Sequence, residues 1–489
     1  MKTMKKERTK TNNIYGWMMM LEGGLLFIPI VVLPFFPEDA VWLPWFVVPG
    51  GLSVLLGKLV GLHSRSMASI LQEKKSCQVV LFAWAYGFFI TMLPFLGLRQ
   101  YRLTQILFES VSGLTTTGLS VLDVTAMAPI YLFYRSFLQF VGGLGFVMMM
   151  LVFFQDKDSM EMYIAEGHSD RLMPNIGRTA HVIFLMYSGF LALGVILYRL
   201  SGVSLFEGLL HAMCALSTGG FSNRLYSIGE YNSLLVELVT VLLMLVGTTN
   251  FAALLLLIKG KWRQLVKVSE IRFMLLLGAA FIPLMAVFLV MQNGYGGAEA
   301  LRLSFFNAFS ALSTTGFATC DYGAWRAAAI GIMVLLMLVG GGAGSTAGGI
   351  KLSRVYLVMR RLFSNIGGKF GPERRVKNIY FVKPVEGKIQ IREALMEEAS
   401  TYMGTYLLIY MAGVLALTLA ANCTLTEAMF EFASALGTVG LTIGVTSAES
   451  GNAVLWIEII GMVLGRLEIF SVFLGIARAG AMLRKRRAC

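Results

Sequence analysis

Long apolar runs alternate with short polar stretches over most of the chain. Between residues 14 and 477 these runs recur at lengths of about 20 residues, enough for a helix to cross a bilayer core. We predict ten spans, at 14–36, 41–62, 78–97, 131–154, 181–200, 233–258, 271–292, 326–350, 402–421 and 453–477. The pattern predicts an all-α polytopic membrane protein, and it excludes a soluble enzyme, a nucleic-acid-binding module and a disordered scaffold.

Four further apolar stretches are too short to cross the membrane. They lie at 104–116, 204–217, 299–314 and 425–437. Apolar segments of about 10–14 residues between spans are typical of re-entrant helices. After two N-terminal spans, the chain then forms four units of span, half-helix, glycine-containing loop and span. We divide it into a tail and hairpin (1–77) and units 1 to 4 (78–180, 181–270, 271–400 and 401–489).

Each unit carries one motif where its half-helix ends. The copies are FESVSGLTTTGLS (108–120), LHAMCALSTGGFS (210–222), FNAFSALSTTGFA (306–318) and FEFASALGTVGLT (430–442). In register, each has Leu, then Thr two places on, then the glycines Gly118, Gly220, Gly316 and Gly440. A Val-Gly or Leu-Gly pair follows 24 to 27 residues later, at Gly142, Gly247, Gly340 and Gly465. These shared marks predict four pseudo-fourfold repeats around a central pore.

The motifs predict an ion filter made of main-chain oxygens. Non-helical backbone is tolerated at membrane depth only inside protein or beside water, so the four loops are expected to share one axis. Glycine reaches positive φ without strain, which lets carbonyls replace a cation's water shell, as in the TVGYG loops of potassium channels. The predicted cation ligands are Thr115, Thr116, Thr117, Gly118, Ser217, Thr218, Gly219, Gly220, Ser313, Thr314, Thr315, Gly316, Gly437, Thr438, Val439 and Gly440. The alternative, glycines that only allow close helix packing, suits one motif better than four.

A polar residue stands nine places before each of these glycines. Glu109 and Glu431 place negative charge near the entrance or behind the loop, and His211 and Asn307 occupy the same position in the other units. The C-terminal ends of the half-helices add partial negative charge, which favours a cation at the centre. Because His211 has no partner at ligand spacing, we interpret it as a hydrogen-bonded neighbour of its loop.

A glycine-rich run interrupts the second span of unit 3. Six of its ten residues, from Gly340 to Gly349, are glycine, which costs a helix about 1 kcal/mol each. The run lacks the GK[ST] ending of a phosphate-binding loop. We predict an unwound gating segment beneath the ring, formed by Gly340, Gly341, Gly342, Gly344, Ser345, Thr346, Gly348 and Gly349. Close packing of small residues is the alternative.

Arg466 lies near the middle of the last predicted span. A central arginine costs about 2.5–3.5 kcal/mol on insertion scales, so it needs protein or water around it and a partner. We expect it to face the pore below the ring and to contact the Gly340–Gly349 segment. A cation there would repel a passing cation and so regulate its passage, whereas snorkelling to an interface is the alternative.

Charge orients the chain. There are 41 Lys and Arg against 28 Asp and Glu, a formal net charge of +13. The basic residues concentrate at 2–10, 63–77, 155–180, 259–270, 351–400 and 484–487, which the positive-inside rule assigns to the cytoplasmic side together with both termini. The excess therefore suits topology and anionic lipid headgroups, not nucleic acid. The five cysteines form no CxxC pair and predict neither a disulfide framework nor a zinc site.

The motifs resemble those of the bacterial Trk/Ktr potassium-uptake superfamily, specifically its TrkH-like pore subunit. The resemblance covers almost the whole chain and rests on TTTGLS (115–120), STGGFS (217–222), STTGFA (313–318), GTVGLT (437–442), GGGAGSTAGGIK (340–351) and GRLEIF (465–470). The last two and the extra N-terminal spans are TrkH-like, while GTVGLTIG is similar to the filter of the Ktr pore subunit.

The resemblance implies potassium, and also rubidium, as the ion that the filter binds and transports. In plant relatives a Ser in place of the first filter glycine accompanies sodium selectivity, and that position is Gly118 here. The resemblance further implies a bacterial cytoplasmic membrane, a homodimer with one pore per protomer, and a cytoplasmic nucleotide-binding regulator of the TrkA/KtrA type. The basic 351–400 region and C-terminal tail would suit docking of that regulator.

The expected function is potassium uptake driven by the membrane potential, with no hydrolysis site and no enzyme activity. The alternative is a proton- or sodium-coupled symporter, in which broken helices are also common. Such proteins usually have inverted repeats and intramembrane carboxylates. Here the repeats run in one direction, and the evident acids within spans are Glu237 and Glu458, near outer ends. A membrane enzyme would need a catalytic cluster, but the histidines are scattered at 63, 168, 181 and 211.

Overall fold

The computed structural model describes residues 14–63, 76–145, 176–369 and 380–477. Its α-helices are α1 (Ile14–Leu25), α2 (Leu43–His63), α3 (Ser76–Met92), α4 (Leu103–Leu114), α5 (Pro129–Leu144), α6 (Ile176–Leu200), α7 (Leu205–Leu216), α8 (Leu234–Thr248), α9 (Phe251–Ile258), α10 (Trp262–Leu265), α11 (Ser269–Asn293), α12 (Gly297–Leu312), α13 (Ala327–Val339), α14 (Leu352–Lys369), α15 (Glu393–Ala421), α16 (Leu425–Gly437), α17 (Asn452–Arg466) and α18 (Ile469–Ala477). Short 3₁₀ helices cover Ile28–Val32, Pro37–Trp42, Leu93–Gly97, Ser227–Tyr231 and Tyr322–Ala324.

Several of these helices are long and apolar enough to span a membrane. Six helical stretches qualify within the described part of the chain, and the number reaches eight if each of two bent pairs counts as one span. Helices that are apolar on all sides suit lipid contact or deep burial. The predicted all-α multi-pass membrane fold is confirmed. The division into units at 78, 181, 271 and 401 stays a prediction.

Three predicted spans are not continuous helices. The expectation of an unbroken crossing is wrong at 233–258 and 453–477, whereas the interruption of 326–350 is the one predicted from the glycine-rich run. In 233–258, α8 and α9 meet at a bend of 117°, and in 453–477, α17 and α18 meet at 104°. In 326–350, α13 stops at Val339 and irregular backbone follows. The breaks persist because other groups bond the freed backbone. At the first break, the Asn250 side chain accepts a hydrogen bond from the Ala252 N–H (2.7 Å) and caps α9.

Parts of several predictions lie outside the described residues. These are the basic stretches 2–10 and 484–487, most of 63–77 and 155–180, and the second part of the span 131–154.

The four short apolar stretches form the half-helices α4, α7, α12 and α16, and each ends in the same way. In α4, the Thr116 N–H donates to the Gly113 carbonyl (3.1 Å) and the Thr117 N–H to that of Ser112 (2.9 Å). This pair of bonds is the Schellman closure of a helix C-terminus. The equivalent donors in the other units are Thr218 and Gly219, Thr314 and Thr315, and Thr438 and Val439. The shared motif thus encodes a shared helix end.

The region 351–400 is more structured than the loop expected from its charge. It contains α14, then the strands β1 (Tyr380–Lys383) and β2 (Gly387–Gln390), which pair antiparallel with Tyr380 opposite Gln390. Helix α15 follows and begins at Glu393, earlier than the predicted 402. Burial explains the order, because Phe381, Leu357 and Ala399 form a small apolar core.

Candidate functional site

The four loops after the half-helices have the same backbone conformation. The threonines at the first shared position have left-handed φ angles: Thr116 (56°), Thr218 (52°), Thr314 (55°) and Thr438 (50°). The glycines two places later also have positive φ: Gly118 (92°), Gly220 (72°), Gly316 (84°) and Gly440 (96°). Left-handed φ is uncommon for a β-branched residue, so its recurrence at four equivalent places identifies one local structure repeated four times.

The loops meet in a closed circle. A Cβ added to each filter glycine would collide with the carbonyl oxygen just before the filter glycine of the next loop. The pairs are Gly118 with Gly219, Gly220 with Thr315, Gly316 with Val439, and Gly440 with Thr117. The fourth loop therefore contacts the first, and the order around the circle is the order in the chain. Only glycine fits at these four positions, both for its φ and for this close approach.

The loop of unit 2 is held by a side chain that sequence reasoning missed. Gln139 on α5 is fully buried, and its Nε2 donates to the Gly219 carbonyl (2.6 Å) while its Oε1 accepts from the Phe221 N–H (3.0 Å). A Cβ at Gly219 would collide with this side chain, which explains why unit 2 has Gly where the other units have Thr or Val. The Gly219 carbonyl accepts a hydrogen bond from Gln139, so the carbonyls of that loop are not equivalent.

The polar residue nine places before each filter glycine braces the chain that follows the loop. The His211 Nε2 lies 3.1 Å from the Ser222 hydroxyl, as interpreted from the sequence. The Asn307 Nδ2 donates to the Thr319 hydroxyl (2.9 Å), and Glu431 accepts from the Ile443 N–H (3.1 Å). These side chains stand behind the loops. The alternative position for the two acids, near the entrance, is therefore not the one they occupy.

The acid of unit 1, Glu109, has a buried cationic partner that the sequence analysis overlooked. The Arg135 Nε donates to its Oε1 (2.6 Å), and both side chains are at most 2% exposed. Arg135 also donates to the carbonyl of Ser222 (3.2 Å) and lies over the ring of Phe221 at 4.0 Å. One arginine therefore joins the loops of units 1 and 2. Its position inside an apolar run was the available signal.

On one side of the ring lies a cavity of about 760 Å³. All four filter glycines line it, together with the charged residues Arg135, Arg224, Glu230 and Asp321. The Arg224 guanidinium is offset by two acids, at 2.6 Å from Glu207 and 2.9 Å from Glu230. The cavity thus reaches all four loops, and the charge of the Arg224 guanidinium that lines it is offset by its two acidic partners.

On the other side, the glycine-rich segment lies directly under the ring. The Thr346 hydroxyl is 2.9 Å from the Gly247 carbonyl, 3.1 Å from that of Leu216 and 3.1 Å from the Thr218 hydroxyl. The Gly348 N–H donates to the Thr314 hydroxyl (2.8 Å). A single segment of unit 3 therefore contacts the filter ends of units 2 and 3.

Unit 4 meets this segment through a glycine. A Cβ at Gly348 would collide with the Thr438 hydroxyl and with the Gly437 carbonyl. The hydroxyls of Thr438 and Thr116 are buried and have no hydrogen-bond partner among the described residues. Of the four threonines at the shared position, Thr218 and Thr314 therefore have hydroxyls that bond the segment. The hydroxyls of the other two have no hydrogen-bond partner among the described residues.

Arg466 reaches the segment from α17. Its Nη1 donates to the Thr346 carbonyl (2.6 Å), and its Nη2 bonds the carbonyls of Gly142 and Gly143. The side chain therefore links the end of α5, in unit 1, to the segment of unit 3. Its role in gating stays a prediction.

A second arginine and an acid secure the turn that carries Arg466. The Arg354 Nη2 on α14 lies 2.9 Å from both carboxylate oxygens of Glu468, and its guanidinium stacks at 3.9 Å over Tyr402. Glu468 is two residues from Arg466, and Arg354 follows the glycine-rich segment by a few residues. The sequence pattern did not indicate this pair, because its partners are 114 positions apart.

A further acid was missed in the first span. Glu22 on α1 is 1% exposed, and neither carboxylate oxygen has a hydrogen-bond partner among the described residues. The expectation that Glu237 and Glu458 are the evident acids within spans is therefore wrong, because Glu22 and Glu468 also lie within predicted spans. Glu237 itself is offset by Arg302 at 2.7 Å.

Apolar helices long enough to cross a bilayer, with four loops joined in a ring among them, define a multi-pass membrane protein of the transport class. Residues 74–482 match the family model described as TrkH, cation transport protein. The chain belongs to this TrkH family, as the resemblance of its motifs predicted.

Individual relatives agree with the family match. The chain is similar to the Trk system potassium uptake protein TrkH of Halomonas elongata (27% identical, covering 94% of this chain and 96% of the relative). It is also similar to TrkG of Escherichia coli (29%, 94% and 96%) and to TrkI of H. elongata (31%, 77% and 77%). The crystal structure of the potassium transporter TrkH from Vibrio parahaemolyticus has the same fold, with a TM-score of 0.81 at 24% identity over 94% of this chain and 97% of that one.

Proposed function

We propose that this chain is the pore-forming subunit of a potassium uptake system. The observation that carries the proposal is the closed ring of four loops, in which each filter glycine packs on a main-chain oxygen of the next loop. Relatives spanning nearly the same length are named as potassium uptake proteins of the Trk system. Oxygens gathered at one axis within a buried ring are what a dehydrated alkali cation requires.

The cation ligands are the loop residues 115–118, 217–220, 313–316 and 437–440. Their contribution differs between units, since the Gly219 carbonyl also accepts from Gln139. The unpartnered hydroxyls of Thr116 and Thr438 are suited to contact an ion at the segment side of the ring. Potassium is here the transported ion, bound in passing.

The glycine-rich segment and Arg466 act as the gate. The segment lies across the pathway under the ring and is held by carbonyl and hydroxyl contacts from units 2 and 3 and by Arg466. A partly buried guanidinium beside the path repels cations, and its hydrogen bonds to two units keep the segment in place. Opening requires these bonds to break together.

The positive-inside rule gives the orientation, with the basic stretches and both termini in the cytoplasm of a bacterial cell. The 760 Å³ cavity is then the outer mouth. An inside-negative potential supplies about 2.3 kcal/mol per charge per 100 mV, which drives uptake with no chemical step in this chain.

The partners are a second copy of the chain, each copy with its own pore, and a cytoplasmic nucleotide-binding subunit of the TrkA/KtrA type. The region 351–400 holds eleven Lys and Arg and follows the gating segment directly, so a regulator bound there would act on the gate through α14.

A proton- or sodium-coupled potassium symporter is the second candidate. The observation that favours it is the presence of the buried acids Glu22, Glu431 and Glu458 among the helices. Intramembrane carboxylates are common in ion-coupled carriers.

Gly118→Ser tests the filter assignment. A side chain at this position meets the Gly219 carbonyl and a φ of 92°, so the ring opens and potassium-over-sodium preference falls in a potassium-uptake-deficient cell. Gly202→Ser is the matched control, because Gly202 has a similar φ of 89° but an added Cβ there would meet no atom within 4 Å. Unchanged selectivity and growth in Gly118→Ser would refute the filter, whereas equal loss in both variants would point to backbone strain alone.

A further inference from the structure

Unit 4 has two acids where unit 1 has an ion pair. Glu431 precedes its filter glycine by nine residues, as Glu109 does in unit 1. Glu458 stands seven residues before Gly465, and Arg135 stands seven residues before its counterpart Gly142. A carboxyl group therefore occupies the place of the guanidinium that offsets Glu109.

Both acids are fully buried and meet at one residue of the chain after the fourth loop. The Thr446 N–H donates to the Glu431 Oε1 (3.1 Å), and the Thr446 hydroxyl donates to the Glu458 Oε1 (2.7 Å). The second oxygen of Glu431 accepts from the Ile443 N–H (3.1 Å). The second oxygen of Glu458 has no partner among the described residues, although the carboxyl group is 0% exposed.

No cation offsets this pair within the described part of the chain, where none of the ion pairs includes either acid. The elements and turns packed around it carry further titratable groups: Arg102, Glu109, Tyr322, Glu393, Glu397, Glu398, Tyr402, Tyr406, Tyr410, Cys423, Glu427, Glu449 and Arg466. Both cations among them are bonded elsewhere. Arg102 donates to the Ser450 carbonyl (2.7 Å) and to Asn452 (3.4 Å), and Arg466, eight residues after Glu458, donates to the Thr346 carbonyl (2.6 Å). Tyr410 donates to the Met429 carbonyl.

We propose that Glu431 and Glu458, which share Thr446 as a hydrogen-bond donor, form a proton-binding site behind the fourth filter loop that carries one proton per pair of carboxyl groups. Two adjacent carboxylates without a counter-charge are strongly disfavoured in a low-dielectric interior, whereas one proton converts the pair to a single negative charge. Protonation of Glu458 also removes its charge, which lowers the cost of burying a carboxyl group that has one oxygen without a partner among the described residues.

The proton also stabilises the loop, because both acids hold the chain just after the filter. Loss of the proton forces two negative charges apart and pulls on Ile443 and Thr446. This inference rests on the proposed potassium pathway for its effect on transport, but not for the existence of the site. We expect flux and potassium preference to fall as pH rises through the midpoint of the site. The ratio of deprotonated to protonated pairs rises about tenfold with each pH unit.

The test uses the purified full-length chain in lipid and combines infrared spectroscopy with flux. Glu458→Gln should remove one protonated-carboxyl C=O band that shifts in D₂O, keep potassium flux at neutral pH and flatten the pH profile. Glu458→Arg recreates the pair of unit 1 and should also give a flat profile. Glu449→Gln, an exposed acid of the same loop, is the control and should leave both the band and the profile unchanged.

The outcomes separate the site from the transport function. If the Glu458→Gln spectrum equals that of the unchanged chain and the pH profile persists, the proton site is overturned. A stability that depends on sodium or potassium and is lost in Glu458→Gln would also overturn it, since a metal ion would then offset two ionised acids. A missing band with no potassium flux in the unchanged chain at any pH would contradict the proposed function and leave the proton site standing.

Discussion

At the scale of single residues, the filter depends on threonines in an unfavourable conformation. A left-handed φ costs a residue with a Cβ about 1–2 kcal/mol, and the chain accepts this at Thr116, Thr218, Thr314 and Thr438. Glycine would avoid that cost, as it does at most helix ends of this type. The hydroxyl is what glycine lacks, and the hydroxyls of Thr218 and Thr314 bond the gating segment or lie beside it. The strain therefore preserves polar groups where the ring meets the glycine-rich segment.

Gln139→Leu tests how far one side chain holds a whole loop. The substitution leaves the Gly219 carbonyl and the Phe221 N–H without their present partner, and we expect the free energy of unfolding to fall by about 2 kcal/mol. Potassium-over-sodium preference should fall as well, because the unit 2 loop loses its support. Thermal melting of the detergent-solubilised chain and competitive ion uptake measure the two effects.

Gln139→Glu separates the two bonds of this side chain. A carboxylate still accepts from the Phe221 N–H but cannot donate to the Gly219 carbonyl. If Gln139→Glu lowers selectivity as much as Gln139→Leu does, the hydrogen bond donated to the Gly219 carbonyl is the one that matters. Full selectivity in both variants would contradict the role given to Gln139.

At the scale of elements, glycines decide how closely the second helices approach the half-helices. A Cβ at Gly142, Gly247 or Gly465 would collide with the carbonyl of the last leucine of its own half-helix, Leu114, Leu216 or Leu436. The Val-Gly or Leu-Gly marks therefore record contacts of three second helices with the filter helix of the same unit. The second helices end within two residues of these marks, at Leu144, Thr248, Val339 and Arg466.

Arg466→Ala should weaken the closed gate. It removes the donors to the carbonyls of Thr346, Gly142 and Gly143, so the segment loses its link to unit 1. We expect potassium flux in proteoliposomes without the regulator to rise several-fold at unchanged selectivity. Arg466→Lys, which keeps the charge but not the forked geometry, should lie between the two. Flux and closure equal to those of the unchanged chain would exclude Arg466 from gating.

The Arg354–Glu468 pair should connect α14 to that same turn. Each side chain is about one fifth exposed, so solvent screens the attraction and we expect a coupling energy of only about 1 kcal/mol. A double-mutant cycle with Arg354→Ala and Glu468→Ala, read as flux with and without the regulator, measures it. The double variant should respond no less than either single variant. Additive effects would show that the two residues act separately.

At the scale of the whole molecule, the ring is assembled from loops about one hundred residues apart, and no unit can complete it alone. The Gly440–Thr117 contact closes the circle between the last and first units. An arginine of unit 4 and the glycine-rich segment of unit 3 are hydrogen-bonded to each other beneath this ring. Because the units share these parts, damage to one loop should affect the entire filter.

Reversal potentials distinguish a channel-like pore from a symporter. In proteoliposomes with a fixed potassium gradient, we expect the reversal potential to follow potassium alone and to ignore an imposed pH or sodium gradient. A proton site that only regulates the loop changes the current and the ion preference without transporting its proton, so the pH on both sides is kept below the midpoint of the site. A shift of the reversal potential with the pH gradient would instead support coupled transport.

The pattern of neighbouring residues was sufficient to predict several features of this protein. Apolar runs, the repeated Leu–Thr–Gly spacing and the glycine-rich run predicted a multi-pass helical protein, four half-helices at the observed places and the family. Continuous second spans were predicted wrongly at 233–258 and 453–477, since hydropathy measures only transfer to lipid and does not register backbone bonds made by distant residues. Arg135 and Gln139 were missed for the same reason.

Periodicity, glycine placement and charge bias are properties of near neighbours along a chain, and they were sufficient for the membrane class, the repeated helix ends and the expected orientation. The closed order of the loops, the partner of each buried charge and the position of the segment under the ring depend on contacts between residues tens to hundreds of positions apart. Burial then sets their energetics: a guanidinium beside Glu109 makes a stable ion pair, while the second acid beside Glu431 leaves a charge to be offset. Such differences arise from packing in three dimensions, which local pattern cannot encode.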